Sequence, residues 1–442
     1  MKVGFVSLGC SKNLIDTEMM IGVFKNNGFT IVNNPQTADI IVINTCGFIE
    51  PAKEEAINTI LEMAEYKKTG KCKILVATGC LVERYKEELE KALPEVDIFL
   101  KYSDYAEEKG KSAAVFAKVL KKIAENIEVE KSELDFMDRV VTTGNNYAYL
   151  RIAEGCSNRC TYCAIPYIRG VFVSRKIEDI LEEAEMLVKS GRKELILIAQ
   201  DTSKYGIDIY GKPQLAKLLT ELCKIKDLKW IRFLYTYPED ITEELIEVVK
   251  KEDKICKYLD MPIQHISDRV LKRMNRKCTG ESIRKVIEKL RKEIPNVIIR
   301  TTVMVGFPGE TNEDFEELYD FIKEAKFDKL GAFSYSKEDG TPASRLKDQI
   351  HPMTKKSRYN KIMKLQKELS KQNEQKLLGR ELEILIEDMS FDKKYYVGRS
   401  YMDVPEIDGV AYIKNNTDQN LIGQYIKAKV VEVKDYDVIC EM

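Results

Sequence analysis

The sequence predicts an α/β multidomain chain: a doubly wound N-terminal α/β domain, a central partial (βα)6 barrel and a small C-terminal antiparallel β-barrel. Three observations carry this. Over most of the chain, short β-branched runs alternate with amphipathic helical patterns, the order that builds parallel sheets with crossover helices. After Gly379 the period changes to short alternating runs broken by glycines. The 442 residues, at about 150 per domain, divide into two to four cores.

The first domain is placed at 1–130, with strands at 3–8, 40–44, 74–78 and 96–100 and helices near 13–27, 52–67 and 82–92. Residues 107–146 lose the strand pattern, become helical and charged, and end in Thr142-Thr143-Gly144-Asn145-Asn146, which predicts a linker. The second domain, 142–375, has strand patterns at 147–153, 194–200, 230–236, 257–262, 297–305 and 329–335, separated by helical patterns such as 176–190 and 311–325. A lysine-rich amphipathic helix over 354–378 leads to the third domain, 376–442. Its alternating runs lie at 383–386, 395–397, 410–413 and 426–433.

Composition narrows the function. Lysine plus arginine total 71 against 72 acidic residues, so no global field draws the chain to nucleic acid or an anionic membrane. With 44% hydrophobic and 32% charged residues, a folded protein is expected rather than a disordered one. No apolar run approaches the roughly 20 residues a membrane span needs. The opening Met-Lys-Val-Gly-Phe-Val-Ser-Leu-Gly-Cys is too short in its apolar stretch for an export signal. Eleven cysteines, three of them tightly spaced, read as metal ligation in a reducing cytoplasm rather than as disulfides.

The strongest motif is Gly155-Cys156-Ser157-Asn158-Arg159-Cys160-Thr161-Tyr162-Cys163, directly after the first barrel strand. Three thiolates spaced C-x3-C-x2-C can hold three corners of a four-iron four-sulfur cube, and the fourth iron then keeps an open position for chemistry. A structural zinc loop would want a fourth cysteine or histidine nearby, and none follows. A second constellation is dispersed. Gly9-Cys10, Thr45-Cys46 and Gly79-Cys80 each sit just past a predicted strand. The carboxyl ends of parallel strands share one edge, where ligands gather, so these three cysteines are expected to converge. That arrangement suits a second cluster with an open iron, with zinc or redox roles as alternatives. Cys72, Cys223, Cys256, Cys278 and Cys440 show no ligand-like grouping and read as small buried side chains.

The cysteine loop resembles that of the radical S-adenosylmethionine enzymes, and the two constellations in this order resemble the methylthiotransferases among them. Those carry an N-terminal three-cysteine domain, a radical domain and a C-terminal TRAM domain, so the resemblance spans the whole chain. It implies two 4Fe-4S clusters, with Cys156, Cys160 and Cys163 holding the one that cleaves S-adenosylmethionine to a 5′-deoxyadenosyl radical, and Cys10, Cys46 and Cys80 holding the one that delivers sulfur. Tyr162 is expected near the adenine and Gln200 beside the methionyl group. No catalytic residue is assigned beyond the cluster ligands. One branch of the family acts on a tRNA adenosine derivative, another on the β-carbon of an aspartate in the twelfth protein of the small ribosomal subunit. Ser7-Leu8-Gly9-Cys10-Ser11-Lys12-Asn13, Gln200-Asp201-Thr202-Ser203-Lys204-Tyr205-Gly206, Asp260-Met261-Pro262-Ile263-Gln264-His265 and Pro405-Glu406-Ile407-Asp408-Gly409 resemble the ribosomal-protein branch. The implied partners are that protein, an electron donor such as flavodoxin or ferredoxin, and a sulfur donor. A cytoplasmic location with no membrane partner is expected. A two-cluster electron carrier without catalysis is the alternative of another class.

Charge points the same way: residues 380–442 hold 8 lysines and arginines against 13 aspartates and glutamates, a net of −5, and the remainder is +4. An acidic barrel repels RNA and suits a basic protein loop, so substrate recognition is expected from this barrel together with the mouth of the central one. Arg169 and Arg175 are expected in surface ion pairs. His265 could meet substrate or serve the structure, and the turn Gly306-Phe307-Pro308-Gly309-Glu310-Thr311 precedes a helix. His351 carries no expectation.

Overall fold

The computed structural model describes residues 1–106, 111–123, 132–416 and 419–442. β1 (Lys2–Ser7), β2 (Thr30–Ile31), β3 (Ile40–Thr45), β4 (Ile74–Gly79) and β5 (Ile98–Leu100) form one parallel sheet in the order β2-β1-β3-β4-β5. Alternation along the strands sorts the side chains onto two faces. Val3, Ile40, Val42, Val76 and Ile98 pack under Met20, Val23 and Phe24 of the helix Ser11–Asn26 and under Phe116 and Leu120 of the helix Lys111–Ile123. Ile41, Ile43, Leu75, Ala77 and Phe99 pack against helices Glu50–Ala64 and Cys80–Ala92 on the other side.

The expected linker over 107–146 falls partly outside the described residues. Within them, the helix Lys111–Ile123 belongs to the N-terminal core rather than to a connection, because its apolar stripe completes one sheet face. Residues after 132 are pinned as well: Thr142 N donates to Glu18 Oε1 at 2.6 Å and Arg139 Nη2 to the Tyr149 carbonyl at 2.7 Å.

The central domain opens with β6 (Tyr147–Arg151), and a short hairpin of β7 (Ala153–Glu154) and β8 (Val173–Ser174) follows it. β9 (Glu194–Ile198) and β10 (Trp230–Phe233) extend β6 into a parallel trio, and β11 (Tyr258–Asp260), β12 (Ile298–Val305) and β13 (Lys329–Ser334) make a second. Cys256 N donating to the Ile231 carbonyl at 2.9 Å and Thr236 N to the Asp260 carbonyl at 2.9 Å join the trios edge to edge, giving an open arc of six strands in chain order. Ala148, Leu150, Leu195, Leu197, Ile231 and Phe233 face the outer helices. Tyr147, Tyr149, Ile196, Ile198 and Trp230 line the concave side, where Ile15 and Met19 of the N-terminal domain meet them.

β14 (Glu381–Met389), β15 (Tyr395–Arg399), β16 (Ala411–Lys414), β17 (Tyr425–Val433) and β18 (Val438–Glu441) close a small barrel in the order β14-β15-β16-β18-β17. It is not wholly antiparallel as expected: β16 and β18 run parallel, because β18, which the sequence reading lacked, slots between β16 and β17.

The small barrel docks on the strand starts of the central domain. Arg399 Nη2 pairs with Glu194 at 2.8 Å, Arg232 Nη1 donates to the Tyr401 carbonyl at 2.8 Å, Tyr258 donates to Asp408 at 2.7 Å, and Lys329 pairs with Asp403 at 3.0 Å. The cysteine loop lies beyond the strand ends. The small barrel therefore does not share the mouth with the central domain as expected, and Glu387, Asp403 and Asp408 of its acidic surplus are engaged at or within this seam.

Candidate functional site

β1, β3 and β4 are sheet neighbours, and their register aligns Ser7 with Asn44 and Thr45 with Gly79. Adjacent strands lie about 5 Å apart, so Cys10, Cys46 and Cys80, each just past a strand, meet at one sheet edge. Gly9, at φ 87°, is required there: a Cβ on it would fall 2.8 Å from Cys46 Sγ. Cys10 is exposed, Cys46 half-buried and Cys80 buried. Burial first, and then the neighbouring Cys10 and Cys46, push the Cys80 thiol up to about 12 against the pull of Arg169.

The second loop leaves β7 at Gly155, whose φ of 73° and closeness to the Val171 carbonyl (a Cβ would come within 2.0 Å) bar any side chain. Thr161 N donates to the Met274 carbonyl at 3.0 Å, and Ala343 N donates to the Thr161 carbonyl at 2.9 Å, so the loop is clamped from two sides. Burial, followed by the neighbouring Cys160 and then Cys156, raises the Cys163 thiol well above its usual range. Cys156 is raised chiefly by burial too. Tyr162 packs edge-on to Phe307 with ring centroids 6.5 Å apart.

A cleft beside this loop is lined by Cys156, Asn158, Phe172, Asp201, Lys204 and Ile207. Asn158 donates to Asp201 at 2.7 Å, Lys204 donates to Asn158, and Lys204 sits 3.4 Å from Asp240. Asn158 and Lys204 entered the sequence reading only as members of motifs and Asp240 not at all, since a polar network across three loops has no periodic signal. Gln200 donates to Glu154, and its Oε1 is buried without a partner. An orphaned amide oxygen beside the loop suits a donor on a bound ligand.

Both thiol trios fit iron–sulfur clusters. Buried thiols that repel one another as thiolates are stabilised by a cationic core that binds them deprotonated. Among the described residues, no three His, Cys, Asp or Glu side chains close on a point as for a single ion. A four-iron cube spreads its thiolates to separate corners and does not require them to close on one point.

Arg169 is not on the surface as expected. Its guanidinium is buried, pairing with Asp16 at 2.6 Å and reaching Glu154 at 3.6 Å. Arg175 is also more enclosed than a surface pair, meeting Glu183 at 2.5 Å and stacking 3.6 Å from the Phe136 ring centre. His265 is fully buried, accepts from Ser267 N at 3.1 Å and is held neutral by burial, with its titration lowered to about 3, so it serves the structure. In the glycine turn, the Glu310 carboxylate accepts from Gly306 N and, at 3.0 Å, from Phe307 N.

The fold and the cysteine loop after β6 define a radical S-adenosylmethionine enzyme. Residues 150–322 match the radical SAM superfamily, a class that implies S-adenosylmethionine and a 4Fe-4S cluster. Residues 2–101 match the uncharacterized protein family UPF0004 and 378–442 the TRAM domain. The chain belongs to the ribosomal protein uS12 methylthiotransferase RimO family. It is 59% identical to the member from Alkaliphilus oremlandii, covering 100% of this chain and 99% of that one. To the Clostridium perfringens (strain SM101) member it is 52% identical, covering 99% and 97%. Among solved structures, the radical S-adenosylmethionine methyltransferase TsrM from Kitasatospora setae superposes with a TM-score of 0.55 at 13% identity, covering 77% of this chain and 76% of that one. The cobalamin-dependent radical enzyme OxsB gives 0.52 at 14%, covering 82% and 56%; both likenesses concern the fold alone.

Proposed function

We propose that this protein attaches a methylthio group to the β-carbon of an aspartate in ribosomal protein uS12. In this reading Cys156, Cys160 and Cys163 hold one 4Fe-4S cluster, Cys10, Cys46 and Cys80 hold a second that presents sulfur, and Tyr162 and Gln200 contact S-adenosylmethionine. The observation that carries it is that Arg169, six residues past Cys163, reaches across to the N-terminal three-cysteine edge, pairing with Asp16 and lying 3.5 Å from Cys80 Sγ. Bound S-adenosylmethionine and the cluster beside it supply the hydrogen-abstracting radical. A radical is needed because no side-chain base removes a proton from an unactivated β-carbon at a useful rate.

The chain's own residues arrange the rest. The N-terminal domain closes the strand-end side of the arc: Lys12 Nζ lies 3.3 Å from the Tyr235 ring centre, and Arg84 and Lys53 pair with Glu338 at 2.8 and 3.0 Å. This closure narrows access to the space between the two cysteine groups, with Cys10 left exposed. Recognition of the substrate loop falls to this mouth, and the small barrel braces the opposite end. The domains are taken as 1–130, 142–375 and 376–442, the electron donor as flavodoxin or ferredoxin with a separate sulfur donor, and the location as cytoplasmic. Among the described residues, no helix is long and apolar enough to cross a membrane.

Mass spectrometry of uS12 after anaerobic reaction with S-adenosylmethionine, sulfide and reductant, with tRNA in parallel, tests the proposal. One methylthio group on an aspartate is the expected result. Its appearance on tRNA instead would overturn the substrate and leave the chemistry.

A further inference from the structure

Arg169 belongs to the central domain, six residues past Cys163, yet its guanidinium ends in the cysteine edge of the N-terminal domain. It is held there from several directions. Nη1 donates to Asp16 Oδ2 at 2.6 Å, Nη2 donates to Asn13 Oδ1 and lies 3.5 Å from Cys80 Sγ, and the Tyr102 ring lies 4.1 Å beneath. Arg151 pairs with Asp16 at 2.6 Å and with Glu154 at 2.8 Å, so two buried cations balance the buried Asp16 and the partly buried Glu154. A buried arginine that is already balanced is not needed at Cys80 as a counter-charge. What it adds there is a directed N–H.

The sulfur needs that donor once it is deprotonated. As a thiol, Cys80 donates to Asn13 Oδ1 at 3.4 Å; as a thiolate it has no proton to give, and the Asn13 oxygen then faces it as a second acceptor. Arg169 Nη2 serves both atoms at once. Asn13 cannot turn its amide to help, because its Nδ2 is committed to the Leu8 and Thr45 carbonyls, each at 3.0 Å. Cys46 takes backbone N–H groups from Phe48 and Gly47 instead. One of the three sulfurs is thus bonded by a cation from the opposite domain.

We infer that Arg169 is a positioning residue of the sulfur-presenting centre: its N–H···S bond to Cys80 raises that centre's reduction potential and ties it to the loop that carries Cys163. Hydrogen bonds to cluster sulfurs favour the more reduced, more negative state, which is the physical basis of the expected direction. The inference rests on the reading that Cys10, Cys46 and Cys80 ligate a cluster.

The test uses the full-length chain with Cys156, Cys160 and Cys163 changed to alanine, so that only the N-terminal centre is reconstituted with iron and sulfide. Iron content and a redox titration followed by electron paramagnetic resonance are compared with and without Arg169→Met. The variant is expected to keep its iron and to titrate at a more negative potential, while Arg175→Gln, at an arginine that bonds Glu183 and not Cys80, leaves the potential unchanged. Retained iron with an unmoved potential in Arg169→Met overturns the inference, as does an equal shift in Arg175→Gln. Should Arg169→Met fail to fold by circular dichroism, Arg169→Gln, which removes the charge but keeps a polar group beside Asp16, decides by the same criterion. If the triple-alanine chain with Arg169 intact binds no iron, the ligand reading itself is what fails.

Discussion

Glu338 is the clasp that holds the N-terminal domain against the last strand of the arc, and its removal should uncouple sulfur insertion from radical formation. Its side chain is 3% exposed and pairs with Arg84 at 2.8 Å and Lys53 at 3.0 Å. Burial opposes ionisation, but hydrogen bonds from Ser336, Arg84 and Lys53 hold its carboxyl below the usual range. Breaking a buried ion pair from one side costs about 3 to 5 kcal/mol. The low end applies to Glu338→Ala, because Arg84 keeps the Gly47 carbonyl at 2.7 Å and Lys53 keeps Glu50 at 2.8 Å. A loss of about 3 kcal/mol corresponds to a more than hundredfold shift toward an open clasp. The second seam, through Asp16 and Arg169, is untouched, so the domain stays attached at Cys80 while the side of its edge next to Cys46, from which Lys53 and Arg84 reach Glu338, is released from the mouth. Anaerobic turnover should then show 5′-deoxyadenosine formed at near the parent rate, with methylthiolated uS12 down at least tenfold. Equal falls in both products, or no change in either, would refute the reasoning.

Gly155→Ala forces a Cβ into the Val171 carbonyl at a left-handed φ, so on the proposed two-cluster reading it should lose the iron of the Cys156 loop and keep that of the N-terminal site, by iron analysis and electron paramagnetic resonance. Glu194, where burial is overcome by Arg399 and Arg232, has its carboxyl held below the ordinary 4.5. A depressed carboxylate contributes stability that is full above the unfolded value and lost as pH falls through the folded one. The melting-temperature deficit of Glu194→Gln should therefore be constant from pH 7 down to about 5 and shrink below 4.5; a deficit that grows in acid would contradict the pairing.

Both cysteine groups were legible from rules local in sequence: the loop from its C-x3-C-x2-C spacing, and Cys10, Cys46 and Cys80 because a cysteine after a β-branched run lies at a strand end and parallel strand ends share an edge. The six-stranded arc was legible by the same alternation. What stayed hidden was long-range and aperiodic. Arg169 and Asp16 lie 153 residues apart and Arg399 and Glu194 lie 205 apart, and no pattern in a charged sequence says which arginine will be buried beside which carboxylate. β18 escaped because Val438–Glu441 is only four residues with three successive buried side chains and so shows no alternation, and with it went the parallel pairing that closes the small barrel. The net charge of that barrel favoured the ribosomal-protein branch but could not place the barrel in the fold, since a sum cannot say which carboxylates face a neighbour.

That seam also changes what truncation should do. Were the small barrel an independent recognition module, removing residues 380–442 would spare S-adenosylmethionine cleavage. The contacts argue otherwise. Removal strips Arg399 from Glu194, Asp403 from Lys329, Asp408 from the Tyr258 hydroxyl and the Tyr425 ring from Trp230, whose centroids lie 4.8 Å apart. It also uncovers Tyr147 and Ile196, which pack with Leu385 and Val404. One buried pair broken costs about 3 to 5 kcal/mol and a domain's whole stability is about 5 to 15, so several such losses at one end of the arc exceed what the remainder can offset. The chain ending at residue 379 should be recovered insoluble or bind the dye ANS, without measurable 5′-deoxyadenosine production. A soluble 1–379 chain that cleaves S-adenosylmethionine at the parent rate would show the seam to be dispensable and return recognition to the small barrel.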